Sequence, residues 1–334
     1  MALTLSVLDQ APVPDGSTPA EALRQTIALA RTTEALGFRR YWLAEHHGTR
    51  SLAATAPEVL IGAVASATSR IRVGSGGVLL SHYSPLKVAE VFRTLAALHP
   101  GRVDLGIGRT PGADPVTEAA LQYLPGVPGD ERYPDKVVDL IGFLCDGLEP
   151  GHPFERVRAT PDGVPAPALW MLGSSSHSGA AASYLGQRFA FAHFITPAFG
   201  PQVVEAYRRG FQPSAAADRP EALVAVGVIC ADTDAEAERL VRSAEVWGLR
   251  PEGTDRGPLL SADDAAARAL TDLETVKVAQ GRAGRVVGGP ARVRDGLLAL
   301  AEDYGVEELM LVTVCHDAGA RRRSYELVAE ALAE

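Results

Sequence analysis

Short β-rich runs alternate with Ala- and Leu-rich helical stretches along nearly the whole chain of 334 residues, and this alternation limits the possible folds more than any other feature. The first helix, for example, is predicted over residues 20–36, between the capping pair Thr18-Pro19 and the terminating Gly37. Strand-like runs occur at residues 3–8, 39–45, 71–80, 103–108, 168–172, 189–195, 223–231 and 308–314. About eight parallel strands with intervening helices predict an α/β fold of the (β/α)8 or TIM-barrel type, with a doubly wound sheet as the alternative.

Two segments are longer than an ordinary connection between elements. Residues 110–134 are rich in Gly and Pro and follow the fourth strand, so we expect them to cover the pocket face of the barrel. Residues 247–287 combine a Gly-, Pro- and Asp-rich stretch with an Ala-rich helix. We predict one domain over residues 1–334, in which 247–287 is a lid-like insertion before the last βα unit. Either segment could instead be a surface excursion that contacts no ligand.

The composition argues against several classes of function. Charged residues make up 22% of the chain and the net charge is −9, which disfavours a nucleic-acid binder because phosphate neutralisation needs clustered Lys and Arg. Cys145, Cys230 and Cys315 are few and widely spaced, so neither a disulfide framework nor a thiolate metal site is expected. We see no targeting signal and no apolar run of about 18 residues, and therefore expect a cytoplasmic protein without membrane contact.

A buried strand runs directly into a polar loop at Tyr41-Trp42-Leu43-Ala44-Glu45-His46-His47. Loops after the carboxyl ends of parallel strands surround the pocket of an α/β fold, so this loop predicts an active site. Either His46 or His47 could act as a general base, since the ordinary pKa of histidine is about 6.5. Alternatively, the two could bind a metal ion together with His82, Asp104 or His316. Adjacent residues on an extended strand point in opposite directions, which makes one shared ion awkward and suggests that one histidine is structural.

Three further features lie at predicted strand ends. Gly74-Ser75-Gly76-Gly77 interrupts an apolar strand, which indicates either close approach to a flat ligand or a barrel corner without a ligand. Arg109 ends the fourth strand, where it could bind a phosphate or form a salt bridge at the rim. The serine-rich turn 173–179 opens a helix, so it could bind an anion or simply cap that helix. No Gly-x-Gly-x-x-Gly fingerprint or P-loop is present.

These motifs together resemble the luciferase-like flavin-dependent monooxygenase family, and the resemblance covers nearly the whole chain. It rests on Trp42 to His47, on Val73 to Gly77 followed by Pro85, and on Gly101-Arg102-Val103-Asp104-Leu105-Gly106-Ile107-Gly108-Arg109. The serine-rich turn also fits. So does the tail, from Gly288-Gly289-Pro290 to Ser324-Tyr325-Glu326-Leu327.

The resemblance implies a TIM barrel that binds reduced FMN and uses O2 to oxygenate a small organic substrate through a C4a-peroxyflavin. It implies that the flavin lies against Gly76 and Gly77, often joined by a cis peptide bond in this family. The phosphate contacts would come from Arg109 and Ser174, and the cofactor-binding residues would further include Gly173, Ser175 and His193. His46 matches the family's catalytic histidine, and we include His47 in the catalytic pair with a supporting role. A flavin reductase that supplies FMNH2 and a homodimeric assembly are also implied.

Several alternatives remain open at this stage. Related branches use the deazaflavin F420 and transfer hydride, and a barrel of this lineage could also bind flavin without turnover. Without the resemblance, a metal-dependent hydrolase would be the preferred interpretation. Gly108 stands where light-emitting members have a reactive cysteine, and Thr110-Pro111-Gly112 departs from their sequence, so light emission is not expected. The sequence does not name the substrate, because specificity lies in the loops.

Overall fold

A closed barrel of parallel strands surrounded by helices forms the protein. The computed structural model describes residues 3–109, 113–122, 132–145, 147–250 and 257–333. The strands are β1 Thr4–Asp9, β2 Arg40–Leu43, β3 Arg72–Ser75, β4 Val78–Leu79, β5 Val103–Gly108, β6 Ala168–Gly173, β7 Arg188–Ala192, β8 Ala222–Cys230, β9 Arg285–Gly288 and β10 Glu308–Val312. They pair in the order β10-β1-β2-β3-β5-β6-β7-β8-β9, and a further pairing of β10 with β8 closes the barrel.

Helices connect the strands and cover the outside of the barrel. They are α1 Pro19–Ala35, α2 Pro57–Ala67, α3 Pro85–Leu98, α4 Pro115–Gln122, α5 Tyr133–Leu144, α6 Ser176–Tyr184, α7 Gly200–Gly210, α8 Asp234–Trp247, α9 Ala262–Ala267, α10 Asp272–Arg282, α11 Pro290–Tyr304 and α12 Ala318–Ala333. The predicted cap of α1 is present, because the Thr18 hydroxyl accepts a hydrogen bond from the Glu21 amide and Pro19 occupies the first turn.

Strand β8 pairs with three other strands, so eight strands can close into a barrel while β9 pairs with β8 as an additional strand. Residues Ala222 to Ala225 of β8 pair with β7, and Gly227 to Cys230 pair with β9. On its other side β8 pairs with β10, the last strand of the barrel. The short strand β9 belongs to the insertion before β10, together with α9 and α10, and is not among the strands predicted from the sequence.

Apolar side chains fill both the space between the barrel and the helices and the barrel interior. The interior cluster comes from alternate strand positions, as the two-residue period of a strand requires: Leu8, Trp42, Ala44, Trp170, Ala190, Leu223, Ala225, Met310 and Val312. The rings of Trp42 and Trp170 meet edge to face, with centroids 5.5 Å apart. The barrel is therefore a packed core and not a pore.

A buried ionic network closes the barrel at the amino ends of its strands. The Arg40 guanidinium donates to Asp104 at 2.8 Å and to Glu308 at 2.8 Å. Asp104 also accepts from Arg72 and from the indole of Trp42, so its buried carboxylate is fully paired. Removing one member of such a network leaves an uncompensated buried charge, which typically costs about 3–5 kcal/mol. Asp104 is thus held at the end of the barrel opposite to the loops after the strands.

The predicted (β/α)8 barrel is confirmed, but several predicted boundaries were wrong. The run predicted as a strand over residues 71–80 is two strands, β3 and β4, separated by Gly76 and Gly77, and it ends in a 3-10 turn at Leu80–His82. Strands predicted to run to residues 195 and 314 end at 192 and 312. The assignment of the whole chain to one domain stays a prediction. Within the described residues, no helix is long and apolar enough to cross a membrane.

Candidate active site

A cavity opens at the carboxyl ends of the barrel strands. Its wall receives residues from almost every strand or the loop that follows it: Leu8, Gln10, Trp42, Ala44, Glu45, His46, His47, Thr49, Leu52, Gly76, Gly77, Leu79, Gly108, Arg109, Leu172, Gly173, Ser174, Ala190, Ala192, Phe194, Ile195, Ala225 and Met310. Seven of the nine predicted site residues therefore lie around one space. Ser175 and His193 do not line it.

Backbone without side chains forms one wall of the cavity at Gly76 and Gly77. The peptide bond between them is cis, as the resemblance implied. A Cβ atom on Gly77 would lie 2.9 Å from the carbonyl oxygen of Gly106, and one on Gly76 would lie 2.5 Å from Leu8 Cδ1. Only glycine therefore fits here without displacing neighbours, and the result is a flat surface on which a ring system can rest.

The loop after β2 places both histidines at the cavity. The His46 amide donates to the Ala54 carbonyl at 3.0 Å, which fixes the backbone of the loop. The Nε2 atom of His47 lies 2.7 Å from Glu45 Oε1. Glu45 itself is buried and also accepts from the Leu79 amide at 2.9 Å and from the Tyr83 hydroxyl at 2.5 Å. His47 is therefore tied to a buried carboxylate, whereas His46 is positioned through its backbone.

Arg109 and the start of α6 bring anion-binding groups to the same cavity. Arg109 follows Gly108 at the end of β5, and Gly173 and Ser174 lie at the end of β6. Ser175 is the N-cap of α6, and its hydroxyl accepts from the Ser178 amide, with which it forms a capping box. Ser174, the residue before this N-cap, and Arg109 thus bring a helix amino end and a guanidinium to one cavity, a combination suited to a phosphate group. The side chain of Ser175 is engaged in capping its own helix.

His193 is buried behind the cavity wall. Its Nδ1 atom lies 2.8 Å from the Tyr304 hydroxyl, and its Nε2 atom lies 3.2 Å from the Ala283 carbonyl oxygen. Burial lowers the pKa of His193, with the Ala283 carbonyl acting in the opposite direction. Both ring nitrogens are therefore used to join the ends of α11 and α10 to the residue after β7, and the position of His193 gives no support to its predicted contact with a cofactor.

In the described part of the chain, no cluster of metal-ligating side chains supports the alternative of a metal site. No group of three or more His, Cys, Asp or Glu residues there is arranged to hold an ion. Asp104 belongs to the ionic network at the opposite end of the barrel, and His316 Nε2 lies 3.2 Å from the Asp15 carbonyl oxygen. His82 is near His47, with ring centroids 6.4 Å apart.

Gln10 and Glu45 are polar residues at the cavity that had received no role from the sequence. Gln10 follows β1, is 8% exposed, and its amide has no hydrogen-bond partner among the described residues. Glu45 was part of the motif, but its contacts to His47, Leu79 and Tyr83 come from three different segments. Both residues follow a buried strand closely, and this is the sequence signal that indicates a polar residue at the pocket.

The insertion reaches the cavity through an apolar contact. Leu259 is fully buried and packs with Trp247 and with Leu52, which lines the cavity. A second cavity adjoins the first, shares Gln10, Phe194 and Ile195 with it, and extends to Trp247 and Arg285. The helix α10 of the same insertion buries no residue, and Arg282 at its end is ion-paired with Glu245 of α8 at 2.6 Å. The part near Leu259 is therefore anchored, while α10 is held mainly by polar contacts.

The cavity thus combines a glycine wall, two imidazoles, a guanidinium and a serine next to a helix amino end, at the carboxyl ends of a parallel barrel. The chain matches the family model described as luciferase-like monooxygenase over residues 3–308, and it belongs to that family of enzymes. The predicted resemblance is thereby confirmed.

The relatives span the same length as this chain. The "Luciferase-like monooxygenase" of Escherichia coli (strain K12) is 37% identical, over 97% of this chain and 96% of its own. The N-acetyl-S-alkylcysteine monooxygenase of Bacillus subtilis (strain 168) is 33% identical, over 99% of this chain and 98% of its own. Among solved structures, apo-MsnO8 is 43% identical with a TM-score of 0.89, and 98% of each chain is covered.

More distant structures share the fold alone. They include the oxygenating constituent of 3,6-diketocamphane monooxygenase from Pseudomonas putida in complex with FMN, at 20% identity and a TM-score of 0.69 over 99% of this chain and 97% of that one. An F420-dependent secondary alcohol dehydrogenase has 15% identity and a TM-score of 0.70 over 99% of each chain. The neighbours of this barrel thus include both FMN-bound and F420-dependent proteins.

Proposed function

We propose that this protein is a monooxygenase that binds reduced FMN and uses O2 to oxygenate a small organic substrate. The observation that carries the proposal is the convergence, in one cavity, of the Gly76-Gly77 wall, the His46-His47 pair and the corner formed by Arg109 and Ser174. When bound, reduced FMN supplies the two electrons with which O2 is activated. The chain's own residues bind, orient and shield the reactants.

The cavity fits a flavin in shape and charge. A ring system can lie against Gly76 and Gly77 because neither carries a side chain, and Leu8 and Gly106 leave no space for one. The phosphate end would be held by Arg109 and by Ser174 at the amino end of α6. We leave Ser175 and His193 out of the proposed cofactor contacts, because their side chains are used by α6 and by Tyr304.

We assign the proton chemistry to the histidine loop. His46 lines the same cavity as the glycine wall, so we propose it as the group that donates or removes a proton at the reacting centre. The apolar surfaces of Trp42, Leu79 and Phe194 would exclude water from that centre. Substrate would enter from the adjoining cavity, past Gln10 and Ile195.

Two observations favour a compact polar substrate with an apolar body. The adjoining cavity is lined by the apolar side chains of Phe194, Ile195, Trp247 and Val314 together with Arg250 and Arg285, and Gln10 presents the amide of a largely buried side chain where the two cavities meet. The relative named N-acetyl-S-alkylcysteine monooxygenase acts on a molecule of that kind, as its name states. We further propose that a separate flavin reductase supplies FMNH2 and that the enzyme is a homodimer.

Anaerobic titration followed by admission of O2 tests the proposal. FMNH2 and reduced F420 are added separately under anaerobic conditions, and binding is followed by the protein fluorescence. O2 is then admitted with a panel of thioether and ketone substrates. We expect FMNH2 to bind and an oxygenated product to form. Binding of reduced F420 alone, with hydride transfer and no use of O2, would replace this proposal with the F420 alternative.

The His46→Ala variant tests the assignment of the proton-transfer group. A positioned acid or base typically contributes about 10²- to 10⁴-fold, so we expect product per FMNH2 oxidised to fall by that order in single turnover. FMNH2 affinity should stay within a few-fold of wild type, and hydrogen peroxide should replace the missing product. An unchanged product yield in His46→Ala would remove His46 from the mechanism.

A further inference from the structure

The geometry points to Glu45 as a positioning residue that fixes His47 as its Nε2–H tautomer and makes the Nδ1 atom of His47 a proton acceptor at the cavity. The tautomer follows from the hydrogen bonds that an ionised Glu45 carboxylate can accept. The use of that acceptor in the reaction rests on the function proposed above. From the sequence, Glu45 received no role, and His47 was one of two possible general bases, with a supporting role implied by the resemblance.

The Glu45 side chain is only 1% exposed and receives three donors. Its Oε1 atom lies 2.7 Å from His47 Nε2 and 2.5 Å from the Tyr83 hydroxyl, and its Oε2 atom accepts from the Leu79 amide at 2.9 Å. An ionised carboxylate only accepts hydrogen bonds, so each of these partners must donate. Burial and the hydrogen bond to Glu45 raise the pKa of Tyr83 well above its usual range, which keeps its hydroxyl protonated.

The tautomer of neutral His47 is then determined by its partner. Because Nε2 must carry the proton that it donates to Glu45, Nδ1 is left with a lone pair. Among the described residues, Nδ1 has no hydrogen-bond partner, and the His47 side chain lines the cavity with 13% of its area exposed. If Nδ1 takes up a proton from a group in the cavity, the imidazolium forms beside the Glu45 carboxylate, which stabilises it.

The same carboxylate connects two walls of the cavity. Leu79 belongs to β4, two residues after the Gly76-Gly77 pair, and His47 lies on the loop after β2. Glu45 therefore sets the distance between the imidazole and the surface on which the cofactor is proposed to rest. A shift of either wall would also change the direction in which His47 Nδ1 can accept a hydrogen bond from a group in the cavity.

The Glu45→Gln variant should preserve the shape of the side chain and reverse the tautomer. The backbone amide of Leu79 is an obligatory donor, so the oxygen of the introduced carboxamide should face it. The carboxamide nitrogen then faces His47 and Tyr83, both of which can change from donor to acceptor by moving a proton or rotating a hydroxyl. In Glu45→Gln, His47 should consequently carry its proton on Nδ1 and lose its acceptor toward the cavity.

Nitrogen NMR of the cofactor-free protein tests the tautomer directly. Histidine is labelled with ¹⁵N, and long-range proton–nitrogen correlations are recorded at a pH at which the imidazoles are neutral, with His47→Gln to assign the signals. We expect the Nε2–H form in wild type and in Tyr83→Phe, which keeps the carboxylate, and the Nδ1–H form in Glu45→Gln. An Nδ1–H form in wild type, or the same tautomer in wild type and Glu45→Gln, would overturn the inference. The wild-type spectrum decides the matter even if Glu45→Gln does not fold.

A kinetic measurement tests the use of the acceptor. In single turnover we expect Glu45→Gln to lose product yield by about 10²-fold, the lower end of the usual range for an acid–base group, with FMNH2 affinity within a few-fold of wild type. An unchanged yield, with the tautomer reversed, would refute the assignment of His47 as an acceptor in the reaction. If wild type itself forms no oxygenated product, the proposed function fails while the tautomer result still stands.

Discussion

Substituting Gly77 by alanine should destabilise the barrel, because the added Cβ would meet backbone and not a flexible side chain. It would lie 2.9 Å from the Gly106 oxygen, 3.0 Å from the Gly106 carbonyl carbon and 3.1 Å from the Ile107 carbonyl carbon. These atoms belong to β5, which pairs with β3, β4 and β6, so β5 cannot move away alone. Overpacking of this kind typically costs about 1–3 kcal/mol.

Thermal unfolding measures that cost. For a chain of 334 residues the unfolding entropy is about 0.7 kcal/mol/K, so the expected fall in Tm is roughly 1–4 °C. Gly108→Ala is the matched control for stability, because a Cβ at Gly108 would have no atom within 4 Å, and its Tm should stay close to that of wild type. FMN affinity should also fall in Gly77→Ala, since the added methyl group disturbs the glycine wall of the cavity. Equal Tm values for Gly77→Ala and Gly108→Ala would refute the steric argument.

Three further outcomes are expected. Arg109→Ala should weaken FMN binding by about 10- to 150-fold, because a charge-assisted contact is lost, and should weaken riboflavin binding much less. Equal losses of affinity for FMN and riboflavin, measured by titration, would place Arg109 away from the phosphate. Although partial burial opposes ionisation, the backbone amides of Arg70, Ile71 and Ser69 lower the pKa of Glu34 to about 2. A depressed acid contributes stability that is complete above its ordinary value of 4.5 and is lost as the pH falls toward about 2. The difference in urea stability between wild type and Glu34→Gln should accordingly be present at pH 7 and shrink below pH ~4.5, and a difference that grows on acidification would contradict this. Trypsin should cut at Lys277 in α10, which buries no residue, before it cuts at Arg242 in α8. Substrate together with FMN should slow the cleavage at Lys277. Cleavage at the same rate with and without ligand would argue against a lid.

The sequence was informative where local patterns reflect local physics. Buried parallel strands need apolar runs of a limited length, and helices need capping residues, so the alternation of the two could be recognised without tertiary information. For the same reason the polar loop after β2 could be predicted to face a pocket. Seven of the nine predicted site residues line the cavity.

The sequence was less informative wherever a residue's role depends on a partner far along the chain. Ser175 could cap a helix or bind an anion, and only the hydrogen bond with Ser178 shows that its side chain caps α6. For His193, the nearby Tyr304 and Ala283 lie about a hundred residues away in sequence, and no local pattern indicates them. Short strands such as β9 are equally hard to predict, because four residues carry little periodicity.

The sequence alone determined the barrel and the end of it at which the polar site residues lie, because the periodicities of strands and helices can be recognised from residues close together in the chain. Only the tertiary structure decided which side chains meet at that end of the barrel. Glu45 shows the difference most clearly: its hydrogen bonds to His47, Leu79 and Tyr83 join segments up to 38 residues apart. A hydrogen bond is specified by distance and direction in space, and those become defined only when the strands that carry the two partners have paired.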